Sequence, residues 1–181
     1  MTPFENAVAR SVDGSEFAAL YRATYWQSYR LAVAILRDGE IAAEATQEAY
    51  LRAFRALPQF RGDGAMEAWL RQIVVRTAIS HRRLLGHRRH EPIGEAALAV
   101  QSADHAHGHD LDVAAALDRL STRGRAAVIL RYFYGHDYST IASILGVRQG
   151  TVGTLLSRSL ERIRRELQPN DTDGGPPVGN D

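Results

Sequence analysis

Apolar residues recur in steps of three and four along most of this chain, the period of a helix and not of a strand. The pattern begins near Glu16 with Phe17, Leu20, Tyr21, Ala32, Ile35 and Leu36, and it breaks at Arg37-Asp38-Gly39. A second helix is predicted from about Glu40 to Ala56. Pro58 and the run Phe60-Arg61-Gly62-Asp63-Gly64 then read as a loop, after which Trp69, Leu70, Ile73, Val74 and Ile79 share one side of a third helix reaching Arg83. Periodicity weakens from Gly86 to about Asp110 and returns at 111–120. Ser121 or Thr122 is then placed to cap a helix carrying Ala127, Ile129, Leu130 and Phe133. Neither strand alternation nor an Asn-Gly hairpin turn appears. The expected fold is all-α: two small helical domains, 16–90 and 113–167, joined by a flexible acidic linker at 91–112, with a flexible 1–15 and a disordered 168–181.

The most informative stretch is 139–167. Ser139 offers an N-cap hydroxyl, Ile141, Ala142 and Leu145 face inward, and Gly146 supplies the left-handed residue of a tight turn. Val147 is expected to plug the angle between two helices. The second of them draws an apolar stripe through Val152, Leu156, Leu160, Ile163 and Leu167. Roughly opposite lie Gly150, Thr151, Thr154, Ser157, Arg158, Glu161 and Arg165. Short hydroxyls and guanidinium groups suit base edges and phosphates. An ordinary core hairpin has the same period; the glycine turn combined with one-sided arginines favours a helix-turn-helix that places one helix in a major groove.

Charge adds to this picture once it is divided along the chain. The formal charge of +1 hides 12 Arg against 7 acids in 15–90 and 9 Arg against 4 acids in 113–167. Residues 91–112 hold Glu91, Glu95, Asp104, Asp110 and Asp112 with no Arg, and 168–181 add three more Asp. Basic folded blocks alternate with acidic connectors, as in a nucleic-acid binder with solvated spacers. Every Lys or Arg position is Arg, whose planar fork suits phosphate and guanine; genome composition accounts for such usage equally well. The absence of cysteine excludes a disulfide framework and thiolate zinc sites. No signal-peptide pattern is seen at the start, and no apolar run approaches the roughly 20 residues of a membrane span, so a cytoplasmic protein without membrane insertion is expected. His105, His107 and His109 lack the i, i+4 spacing of a helical metal pair, so neither metal nor other cofactor is expected. The chain has no G-x-S-x-G, phosphate-cradling glycine loop or H-E-x-x-H, which argues against an enzyme.

The order of these blocks resembles the extracytoplasmic-function group of bacterial sigma factors in the sigma-70 family. The first block is similar to their region 2 in Ala45-Thr46-Gln47-Glu48-Ala49-Tyr50-Leu51-Arg52-Ala53-Phe54-Arg55-Ala56-Leu57, in Phe60-Arg61-Gly62-Asp63 and in Trp69-Leu70-Arg71-Gln72-Ile73. The second is similar to region 4 in Ala116-Leu117-Asp118-Arg119-Leu120, in 123–132, and in the helix-turn-helix with Gly150-Thr151-Val152. The resemblance implies a factor that directs core RNA polymerase to promoters, with no catalysis of its own. Region 2 would grip the clamp helices of the largest subunit and melt the −10 element. Region 4 would hold the −35 element and the flap of the second-largest subunit, and an anti-sigma factor would restrain the free protein.

Residue by residue, the resemblance places polymerase binding on Glu44, Gln47, Glu48, Leu51 and Arg55. Four of these recur at i, i+4, i+7 and i+11 on one helix face, although a solvated face with Leu51 in the core fits the same spacing. It places −10 recognition and melting on Arg61, Gly62, Asp63, Arg71, Arg76, Arg82 and Arg83, with a base pocket in the loop and arginines along the separated strand. Trp69 shares an apolar stripe with Leu70 and Ile73 and is expected in the core, as is Phe60. The −35 set is Arg148, Gly150, Thr151, Thr154, Ser157, Arg158, Arg162 and Arg165. Arg76 stands where the family often has Asn, and Arg148 where it has a capping Ser. Gly153, Leu155 and Ser157 replace basic or bulky residues, which implies an atypical −35 sequence. The acidic linker, by the same resemblance, would run near the transcript path. A stand-alone regulator using only the helix-turn-helix remains the alternative.

Overall fold

The computed structural model describes residues 14–60, 65–85 and 108–167, and among these it contains seven α-helices, one short 3-10 turn and no strand. Helix α1 (Gly14–Leu36) turns one face inward, burying Phe17, Thr24, Ser28, Leu31, Ile35 and Leu36. It ends at Arg37, which takes a left-handed φ of 59° while its N–H donates to the Val33 carbonyl at 2.7 Å. Asp38 is extended and caps α2 (Gly39–Ala56) by accepting from the Ile41 N–H at 3.0 Å. Two residues therefore reverse the chain at the predicted break, and the left-handed one is Arg37, not the neighbouring glycine. A 3-10 turn at Leu57–Gln59 leads to α3 (Met66–Leu85), which buries Leu70, Val74, Val75, Thr77 and Ala78 against α1 and α2.

The second unit runs α4 (Gly108–Asp118), α5 (Thr122–Tyr132), α6 (Tyr138–Leu145) and α7 (Gln149–Leu167). Helix α4 begins inside the stretch read as linker; Asp110 and Asp112 fall at its start, where acidic residue types favour a helix. Ser121 is the α5 cap, accepting from the Gly124 N–H at 3.1 Å. Every residue from Gly124 to Leu130 is buried. A Cβ on Gly124 would stand 2.6 Å from the Ser159 Oγ, so the glycine permits a close approach of α5 and α7 here. That contact explains why Ser159 is buried on α7 with Val152 and Leu156, while Leu160 and Ile163 are only partly covered and Leu167 is exposed. The apolar stripe expected along α7 is thus shorter than its period implied, because the helix runs past the body it packs on.

The cap of α6 also differs from expectation. Asp137, not Ser139, precedes the first turn: its carboxylate accepts from the Thr140 N–H at 2.7 Å, and the Ser139 hydroxyl donates to it at 2.9 Å. These bonds, the Thr140 N–H first, hold the Asp137 carboxyl below its ordinary range. The Gly146 turn is as expected, with φ 63° and its N–H on the Ala142 and Ser143 carbonyls, and Val147 is half-buried behind it.

The two units pack together, α1 and α3 against α5 and α6. The main polar tie is Arg125, which is 6% exposed. Its guanidinium donates to the carbonyls of Leu117 at 2.8 Å, Asp118 at 3.2 Å and Leu120 at 3.1 Å, and across the seam to Ile35. Burial lowers its pKa to about 10, so it stays charged at neutral pH.

Candidate functional site

Three surfaces carry the residues singled out above. On α2, Glu44, Gln47, Leu51 and Arg55 are exposed and Glu48 is half-buried. Leu51 is 46% exposed, which removes it from the core and leaves an apolar residue amid charges, the composition of a protein-binding face. Glu48 accepts from Arg52 Nε at 2.8 Å, and that bond holds its carboxyl below the usual range.

Beside this face opens a groove of about 500 Å³ lined by Phe17, Tyr21, Tyr25, Gln47, Tyr50, Leu51 and Phe54. Tyr50 forms its floor: its hydroxyl is 2.8 Å from Thr24 Oγ1 and 3.1 Å from Ser28 Oγ, and burial pushes its pKa up. Tyr21, read from the period as inward, is 43% exposed, and Phe54 and Trp26 are more exposed still. The sequence assigns none of these aromatics to a binding surface. Their crowding on α1, with Tyr21, Tyr25, Trp26 and Tyr29 within nine residues, was the available signal.

On the second surface Arg61, Gly62, Asp63 and Gly64 lie outside the described residues. Trp69 is half-buried with its ring 5.2 Å from that of Phe60, as expected of core aromatics. The four α3 arginines do not share one environment. Arg82 and Arg83 are exposed in the last turn. Arg71 lies over the Tyr134 ring, 4.3 Å from its centroid, and Arg76 donates to the carbonyls of Ser143 at 2.8 Å and Ile144 at 3.1 Å. Two arginines expected on phosphates are therefore engaged by the second unit.

Next to Arg71, the His136 ring stacks on Tyr134 with centroids 6.2 Å apart. Burial first, then the Arg71 charge, lowers the His136 pKa, while Asp137 opposes them. The neutral ring is thus favoured in the fold. Its contribution is complete above the ordinary histidine pKa and declines as pH falls through that value toward the depressed one. Thermal melts from pH 7.5 to 5 should show a loss of stability that His136→Gln reduces; identical slopes for both proteins would refute this.

The third surface is α7. Arg148, Gly150, Thr151, Thr154, Ser157, Arg158, Arg162 and Arg165 are all exposed, opposite buried Val152 and Leu156. The Arg148 carbonyl accepts the N–H groups of Thr151 at 2.9 Å and Val152 at 3.4 Å, starting the helix, while its side chain adds charge where a serine would add an acceptor. Gly153 tolerates a Cβ at ordinary contact distance from Tyr138, and Leu155 is half-buried, so these two departures belong to packing more than to readout.

A helix-turn-helix unit packed on a three-helix unit with an exposed mixed face defines a class of two-part transcription factors, and comparison with known proteins makes it specific. Residues 20–88 match the family described as Sigma-70 region 2, and residues 110–163 that described as Sigma-70, region 4. The chain is 33% identical over 168 residues to the ECF RNA polymerase sigma factor SigM of Mycobacterium tuberculosis, covering 88% of this chain and 82% of that one. It is 33% identical over 153 residues to the RNA polymerase sigma-H factor of Pseudomonas aeruginosa, covering 77% and 79%. Its fold is similar to that of the sigma factor RpoE of Bartonella quintana, solved with the anti-sigma factor NepR, at a TM-score of 0.63 and 21% identity over 86% of this chain and 99% of that one. The chain belongs to the sigma-70 family of RNA polymerase sigma factors, in the extracytoplasmic-function group.

Proposed function

We propose that this sigma factor divides its work among the three surfaces: α2 and its aromatic groove for the polymerase clamp, α3 with the 61–64 segment for the −10 strand, and α7 for the −35 duplex. It supplies position and electrostatics, and polymerase supplies the chemistry. The observation that carries this reading is α7, where all eight −35 candidates are exposed while the opposite face is packed. Exposed Tyr132 and Phe133 at the end of α5 provide an apolar patch in the same unit, supporting contact with the polymerase flap. The domain limits 16–90 and 113–167 accompany this division, with 91–107 outside the described residues. An anti-sigma partner is supported by the relative solved with one. A cytoplasmic location fits a polymerase-bound factor, and no described helix is long and apolar enough to cross a membrane. A stand-alone regulator leaves the region 2 match without a purpose.

The test is promoter readout by the reconstituted holoenzyme. Arg158→Ala should weaken promoter binding by about 1–3 kcal/mol if its guanidinium is bidentate to a guanine, and relax preference at one −35 position. Scanning templates substituted singly across that element reads both effects; an unchanged affinity and preference would remove Arg158 from base readout.

A further inference from the structure

We propose that the outward face of α1 is a second single-strand site, on which Trp26 stacks a base of the separated promoter strand while Arg22 and Arg30 hold phosphates on either side of it. The inference rests on the reading of the first unit as the part that holds a separated strand, and it extends that path from α3 onto a helix given no role in it above. Ala19, Arg22, Ala23, Trp26, Gln27 and Arg30 follow one another in steps of three and one, the spacing of a single helix face, and all six are exposed. They lie opposite Thr24, Ser28, Leu31 and Ile35, which are buried.

Trp26 stands out on this face. An indole carries a large apolar area that a fold ordinarily covers, yet Trp26 is 68% exposed. Ala23, one turn back, is too small to shield it. The rings of Tyr25 and Tyr29 meet it with centroids 5.6 and 5.9 Å apart and interplanar angles of 75° and 79°. Both contacts are of the edge type, so they set the orientation of the indole without stacking a ring on it. A flat partner can therefore lie against it, and the bases of a single strand have free faces that the bases of a duplex keep stacked on one another.

Charge selects the occupant. Arg22 and Arg30 stand about one helical turn before and after Trp26, roughly 12 Å apart along the axis. Arg37, Arg52 and Arg119 are paired with acids, whereas Arg22 and Arg30 have no ion-pair partner among the described residues. From Phe17 to Leu36 the helix has no acidic residue. Tryptophan and arginine also suit protein interfaces, but a polyanion with a π-face on every unit satisfies the indole and both guanidinium groups at once. Gln27 connects the strip to the rest of the proposed strand path: it borders a small pocket together with Arg71 of α3, where Glu67 is the one acid, and on its other side a cleft together with Arg30.

The chain has two tryptophans, and Trp69 is half-buried beside Phe60, so indole fluorescence locates the contact. Titration of the full chain with a fluorescein-labelled oligothymidine should show anisotropy rising and indole emission falling together, and the same oligonucleotide paired in a duplex should not quench. Trp26→Leu should weaken single-strand binding about tenfold and remove most of the quenching, with the melting temperature unchanged. Trp26→Phe should lose the same quenching but bind within about twofold of the parent, since it keeps a π-face. The Arg22→Gln/Arg30→Gln double variant should lower the slope of log affinity against log salt by about 1.4, roughly 0.7 for each phosphate contact. No quenching in the parent, undiminished quenching or affinity in Trp26→Leu, or an unchanged salt slope in the double variant would overturn the site. Run-off transcription by the parent with core polymerase reads the sigma assignment separately: defined initiation without quenching would remove the α1 site and leave that assignment standing.

Discussion

Leu51→Ala is expected to weaken association with core polymerase by about 2 kcal/mol or more, roughly 30-fold, while leaving the melting temperature nearly unchanged. The two halves of this expectation come from one fact, the 46% exposure of Leu51 in a face otherwise made of Glu44, Gln47, Glu48 and Arg55. A buried leucine cut to alanine costs the fold several kcal/mol, on the order of 2–5. One that covers itself only on binding costs the complex instead. The adjoining groove of Tyr21, Tyr50 and Phe54 offers the partner an apolar floor next to Leu51, the setting in which interface residues carry most energy. Titration of labelled protein with core polymerase, paired with a thermal melt, measures both quantities. Full affinity, or a collapse of the melt, would move Leu51 out of the interface.

Arg125→Met should have the opposite signature, a loss of fold stability on the order of 3–5 kcal/mol. The side chain is 6% exposed and its guanidinium serves the carbonyls of Leu117, Asp118, Leu120 and Ile35, all of which lose a donor together. Arg125→Lys should recover only part of the loss, because a single ammonium cannot span four acceptors set around a planar fork. Chemical denaturation of the three proteins settles the order. Equal midpoints for the parent and Arg125→Met would show that water replaces the guanidinium without cost.

Arg125 marks the boundary of what sequence alone could disclose. In the sequence it is one of nine arginines in a basic block, indistinguishable from Arg158, and its charge was counted toward nucleic acid. Helical period separates an apolar stripe from a polar one, so the outward set on α7 was legible, as were the breaks at Arg37-Asp38 and Gly146. Period does not show which polar residues another element later covers. Arg76 illustrates this: it is polar and exposed on α3, yet its bonds go to α6, 67 and 68 positions further along the chain. The same limit applies to aromatics, since Phe17 is buried and Tyr21, one turn later on the same face, is 43% exposed although both rings meet Tyr50. Asp137 and Ser139 both have cap chemistry, and it is the Asp137 carboxylate that accepts from the Thr140 N–H.

Of the −10 set, Arg61, Gly62 and Asp63 lie outside the described residues. Of the arginines expected to follow the strand, Arg76, Arg82 and Arg83 are exposed, Arg76 while donating to two α6 carbonyls, and Arg71 is half-buried over the Tyr134 ring. The face of α7 proposed for the −35 duplex is exposed with the two units packed together.

The central claim is tested most directly by run-off transcription with sigma-free core polymerase, comparing the parent with the Leu51→Ala/Arg55→Ala double variant on promoter fragments from the source genome. The account predicts initiation at defined start sites with the parent and its loss with the variant. Failure of the parent to initiate, together with specific duplex binding by the chain alone, would contradict it and identify a stand-alone helix-turn-helix regulator instead.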